Sequence, residues 1–83
     1  MSRYEVRAVT GAAKSIYTCG ETLANYSDVR AAAYTAEREA HRYAHGTAVV
    51  DTVRALIWWV RAPGSASSEW ATFDGRKFAE APL

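Results

Sequence analysis

Apolar and polar residues alternate from Arg3 to Val9, with Tyr4, Val6 and Ala8 set against Arg3, Glu5 and Arg7. A period of two is that of a strand with one buried face. Thr10, Gly11, Ala12, Ala13 and Lys14 read as a turn. Ser15, Ile16, Tyr17, Thr18 and Cys19 are rich in β-branched and aromatic side chains up to the break at Gly20, so a hairpin is expected. The period then changes. Ser27 suits an N-cap, Asp28 places a carboxylate in the first turn, Arg42 and His45 lie in a last turn, and Gly46 follows where a left-handed residue is wanted; together they predict a helix over residues 27–45. At 100° per residue, Val29, Ala32, Ala33, Ala36, Ala40, Tyr43 and Ala44 share one face. Arg30, Tyr34, Glu37, Arg38, His41, Arg42 and His45 share the other. An apolar face made almost wholly of alanine has little bulk of its own. It therefore predicts a helix axis lying close to a sheet that supplies large side chains.

Residues 47–62 fit helical spacing through Val49, Val50, Val53, Ile57 and Val60, but their Val, Ile, Thr and Trp content favours strand. Thr52, Val53, Arg54 and Ala55 are then either a tight connection between strands 48–51 and 56–61 or the middle of one long bent strand. Residues 62–68 read as a flexible loop, residues 69–73 as a strand, Asp74 and Gly75 as a hairpin turn and residues 76–78 as a short strand, with a frayed tail after Ala79. The expected architecture is one α+β domain over residues 1–83, ordered from about 3 to 79. In it an antiparallel sheet of four to five strands in the order β-β-α-β-β carries one amphipathic helix on one face.

Composition sharpens this picture. The chain has 83 residues, and a domain of that size has a thin stability margin. Of its 41 hydrophobic residues 17 are Ala and only 12 are Val, Ile or Leu, so three Trp, five Tyr and two Phe must carry the packing. Ten basic against nine acidic residues leave a net charge of +1, which lacks the basic excess of a protein that coats nucleic acid. A lone Cys19 makes no intramolecular disulfide and fits no metal-binding spacing. Met1 to Glu5 lack the apolar run of a secretory leader, and the longest apolar run, residues 55–60, is too short to cross a bilayer. The expectation is a cytoplasmic protein with no membrane contact.

Two surfaces stand out as candidates. Trp58 and Trp59 are adjacent in a predicted strand and so point to opposite faces, while one helix covers only one face. If Leu56, Trp58 and Val60 meet the helix, then Ile57, Trp59 and Arg61 occupy the other face, joined by Arg3 and Arg7 if the strands are neighbours. Either other parts of the chain, such as Trp70 and Phe73, fold over that face, or it is a contact surface of the aromatic and arginine type found at interface centres. A homodimer formed there would also supply missing core volume. The second surface is the polar stripe of the helix, Arg30, Tyr34, Arg38, His41 and His45, whose natural partner is anionic. Either surface can alternatively be read as a nucleic-acid platform, with bases stacked on the aromatic ring and phosphates on the arginines.

His41 and His45 are four apart and supply two metal ligands of the four a structural site needs. With no third ligand in reach, no metal or cofactor is expected. No nucleophile elbow, phosphate-binding glycine loop or deaminase-type zinc motif is present, and the expectation is a protein without enzymatic activity.

The opening Tyr4, Val6, Ala8, Val9 pattern, the run from Tyr26 to Ala33 and the run from Gly46 to Asp51 together resemble small uncharacterised proteins of actinobacteria and their phages. The resemblance covers residues 3–61. It implies an accessory protein that binds a host or assembly partner, and it transfers no site residue.

Overall fold

A computed structural model describes residues 2–10, 19–67, 69–72 and 76–78. The alternating N-terminal segment is a strand, β1 (Tyr4–Val9), followed by β2 (Cys19–Tyr26), α1 (Val29–Glu39) and a single 3-10 turn over Ala40–Arg42. Four further strands complete the chain: β3 (Thr47–Asp51), β4 (Leu56–Val60), β5 (Trp70–Thr72) and β6 (Lys77–Phe78). They form one antiparallel sheet in the order β2-β1-β3-β4-β5-β6. The α+β class holds, and the short terminal pair extends the expected sheet to six strands. The expectations for residues 11–18, for the Cys19 side chain, for residues 73–75 and for the tail after Ala79 lie outside the described residues.

Two boundaries differ from the sequence reading. The second strand begins at Cys19, where it was expected to stop, and runs through Gly20 to Tyr26. Its extra residues are taken up by two register shifts against β1, one of which sets Val6 opposite Ala24 and Arg7 opposite Thr22. The helix is shorter than residues 27–45. Asp28, not Ser27, is the N-cap: its backbone is extended and its carboxylate accepts from the Arg30 N–H at 3.3 Å. After the 3-10 turn Tyr43 is extended, with φ −126° and ψ 138°, so the helical period ends before Ala44 and His45. Gly46 does adopt a left-handed φ of +78°, but in the turn into β3, where its N–H donates to the Tyr43 carbonyl at 3.1 Å.

Residues 52–55 are the tight connection, not the middle of a bent strand. Asp51 makes that turn: its Oδ1 accepts from the Val53 and Arg54 N–H groups, both at 3.0 Å, and Ala55 closes the turn at φ 57°.

The helix lies over β2, β1 and β3, and the packing follows the alanine argument. Ala32, Ala33, Ala36 and Ala40 are buried against Val6, Val49, Leu56, Trp58, Val60 and Trp70. A buried Trp removes about 200 Å² from water, worth roughly 5 kcal/mol at about 25 cal/mol per Å², so Trp58 and Trp70 do the work the alanines cannot. Hydrogen bonds lock helix to sheet at two points. The Thr47 hydroxyl donates to the Ala36 carbonyl at 2.6 Å, and the Tyr26 and Thr35 hydroxyls pair at 2.6 Å. Of the loop read as flexible over residues 62–68, the described residues 62–67 are tied back instead. The Trp58 indole N–H donates to the Ser67 carbonyl at 2.6 Å, the Ser67 N–H to the Trp59 carbonyl at 2.8 Å, and the Gly64 N–H to the Glu37 carboxylate.

Candidate functional site

Strand alternation sorts the two tryptophans as expected. Leu56, Trp58 and Val60 face the helix, and Ile57 and Trp59 face away with Val9, Ala48 and Val50. Register aligns Arg7 with Ala48 and Ala48 with Trp59 across three strands, so Arg7 and Trp59 do share this face. It is nevertheless not an open apolar surface. Ala48, Val50 and Ile57 are fully buried within the single chain, and Trp59 is half-buried against them. Trp70 is not the cover, since it belongs to the helix-side core; Phe73 lies outside the described residues.

The arginines assigned to this face are engaged elsewhere or stand apart from it. Arg3 grips Asp51 with both Nε and Nη2 at 3.0 Å. Arg7 donates from Nε to the Gly20 carbonyl at 3.2 Å and lies 3.7 Å from Glu5. Arg61 is exposed beyond the end of β4. Ile57, Trp59, Arg61, Arg3 and Arg7 therefore do not form one exposed patch, because Ile57 is buried, Trp59 is half-buried, and the partly exposed Arg3 and Arg7 are held by Asp51 and by Gly20 and Glu5. With Ala48, Val50 and Ile57 already sealed, the core-volume argument for a homodimer falls as well.

The helix stripe is the candidate that the structure leaves open. Arg30, Tyr34, Arg38, His41 and His45 are all exposed, Tyr34 with 65% of its surface accessible. The Arg38 guanidinium lies over the Tyr34 ring, 5.6 Å from its centroid, an arrangement expected one turn apart on a helix. His41 places Nδ1 2.8 Å from the Arg38 carbonyl and so occupies one of the free carbonyls at the helix end. His45 falls off the stripe's period because Tyr43 is extended. The same break means that His41 and His45 do not stand one helical turn apart as a metal pair would. Among the described residues no group of three His, Cys, Asp or Glu side chains is placed to hold a metal ion.

Acidic neighbours of the stripe are turned to other tasks. Glu37 accepts the Gly64 N–H, and Glu39 pairs with Arg42 at 2.9 Å. Among the described residues, the ion pairs are Arg3 with Asp51, Arg7 with Glu5 and Arg42 with Glu39, so Arg30 and Arg38 have no carboxylate partner. Sequence periodicity finds the stripe but not that Arg30 and Arg38 go without an ion pair among the described residues. The Glu37 contact depends on where residues 61–65 fold, and no local signal encodes that.

Asp51 is the other feature that sequence reading missed. Its side chain is only 1% exposed. Burial works to raise its pKa, but the Arg3 hydrogen bonds, the Arg54 and Val53 N–H groups and the Arg3 charge outweigh it and hold the carboxyl below its ordinary value. Its partner is raised in turn by the Asp51 hydrogen bond. An Asp at the start of a four-residue turn is the one signal that pointed to it. This cluster closes a hairpin and ties the N-terminal segment to it, with Thr52 donating from its N–H and its hydroxyl to the Arg3 carbonyl at 3.0 and 2.6 Å.

No protein-family model, curated protein or solved structure matches the chain. No helix among the described residues is long and apolar enough to cross a membrane.

Proposed function

We propose that the chain is a non-enzymatic interaction module that binds a partner protein through the outward face of α1. The observation that supports this reading is the exposed Tyr34–Arg38 stack. Aromatic and arginine side chains dominate binding energy at protein interfaces, and an exposed tyrosine ordered against an arginine loses little further freedom on binding. Helix–sheet packing makes the platform stiff, since α1 is bonded to the sheet through Thr47 and Tyr26. A role of this kind agrees with what the resemblance to small actinobacterial and phage proteins implies.

Immobilised wild-type protein and its Tyr34→Ala/Arg38→Ala variant, used to capture proteins from a native extract, test the reading. The expected result is a retained partner that the double variant loses and that a Val53→Ser variant keeps, Val53 being an exposed residue of the β3–β4 turn. Equal retention by all three proteins would show that α1 is not the contact face.

A further inference from the structure

From the arrangement on α1 we infer, resting on that reading, that the partner presents an acidic protein segment whose carboxylates bind Arg30 and Arg38 on either side of Tyr34. Arg30, Tyr34 and Arg38 succeed one another at four-residue steps within α1, so the two arginines are set about 12 Å apart along the axis. Both lack a carboxylate partner among the described residues. The neighbouring carboxylates are engaged elsewhere, Asp28 by the Arg30 backbone N–H, Glu37 by the Gly64 N–H and Glu39 by Arg42. A guanidinium is a planar fork that matches a carboxylate bidentately, and Arg38 is already oriented by its stack on Tyr34. An extended peptide rises about 3.3 Å per residue, so acidic residues four apart stand about 13 Å apart on one face, with the residue between them directed at the tyrosine ring.

A protein segment is favoured over a nucleic acid by two observations. Single-stranded nucleic acid uses exposed rings as stacking platforms, whereas one face of Tyr34 is taken by Arg38. A net charge of +1 also gives little of the long-range attraction on which phosphate-backbone binding relies.

The test is fluorescence anisotropy with three labelled probes titrated against the full chain. They are a 12-residue peptide with Glu at every fourth position and Leu midway between, a peptide of the same composition with its Glu residues clustered at one end, and a single-stranded DNA 12-mer. The spaced acidic peptide is expected to bind most tightly and to weaken as salt is raised. Arg30→Ala and Arg38→Ala should each weaken it about three- to fivefold, with melting temperatures unchanged. Tighter binding of the DNA, no saturable binding of the spaced peptide, or arginine variants that bind it as well as wild type would each overturn the inference. Loss of the captured partner in the double variant without binding of the spaced peptide would leave α1 as the contact face and reject only the acidic partner.

Discussion

At the level of single residues the Asp51 carboxylate carries the sharpest pH consequence. Its pKa is held below the ordinary value because Arg3 and two turn N–H groups outweigh the effect of burial, and a group depressed in the folded state stabilises it wherever the group is ionised. That contribution is complete above the unfolded value, about 3.9, and is lost as pH falls through the lower folded value. Thermal melts of wild type should therefore lose stability as pH drops below about 4. Asp51→Asn keeps an acceptor for the turn but not the charge facing Arg3. It should cost roughly 1.5–3 kcal/mol at pH 7 and flatten the acid limb, and parallel pH curves for the two proteins would refute the assignment. None of this pairing is legible locally, because Arg3 and Asp51 are 48 residues apart. Alternation alone puts Arg3 with Glu5 and Arg7 on the polar side of the strand and so on the Trp59 face. Only the register that sets Tyr4 opposite Asp51 brings the two side chains together.

At the level of elements the informative position is Gly46. Its φ of +78° lies in the left-handed region, and a Cβ there would run into the Val60 carbonyl and the Arg61 backbone. The β3 entry packs on the end of β4 at this point, and the Gly46 carbonyl accepts from the Val9 N–H at 3.1 Å, so neither neighbour is free to retreat. Gly46→Ala combines a left-handed penalty of about 1 kcal/mol with overpacking of about 1–3 kcal/mol. It should lower the urea midpoint accordingly, and an unchanged midpoint would mean that the turn relaxes. The glycine was legible as a left-handed residue but was assigned to the helix end, since Tyr43 and Ala44 continue the apolar spacing past Ala40. What ends the helix is an extended Tyr43, and a hydrophobic pattern does not distinguish a half-buried tyrosine in a turn from one on a helix. The hairpin over residues 52–55 is ambiguous in the sequence for a similar reason. Thr52 and Val53 favour strand by propensity, and only the hydrogen bonds made by Asp51 select the turn.

On the scale of the whole molecule, periodicity shows which residues share a face but not what covers it. The split of Trp58 from Trp59 and the burial of four helix alanines follow from periods of 2 and 3.6, and both were legible. The burial of Ala48, Val50 and Ile57 is not, because a period of 2 sorts residues by face and carries nothing about how exposed that face is. That difference moves the candidate surface from the sheet to α1, and it makes opposite demands on the two sides of the helix. Ala36 is fully buried, and its carbonyl is held by Thr47 at 2.6 Å, so Ala36→Leu must lift the helix from the sheet or force side chains off their rotamers. The expected cost is about 1–3 kcal/mol. Tyr34, two residues earlier, is exposed with its ring under the Arg38 guanidinium, and Tyr34→Ala should stay within about 0.5 kcal/mol of wild type. Denaturant titration of the two variants measures both. A tolerated leucine would mean that α1 does not sit as close to the sheet as its alanine face requires, whereas a destabilising Tyr34→Ala would make that ring part of the fold and remove it as a free contact residue.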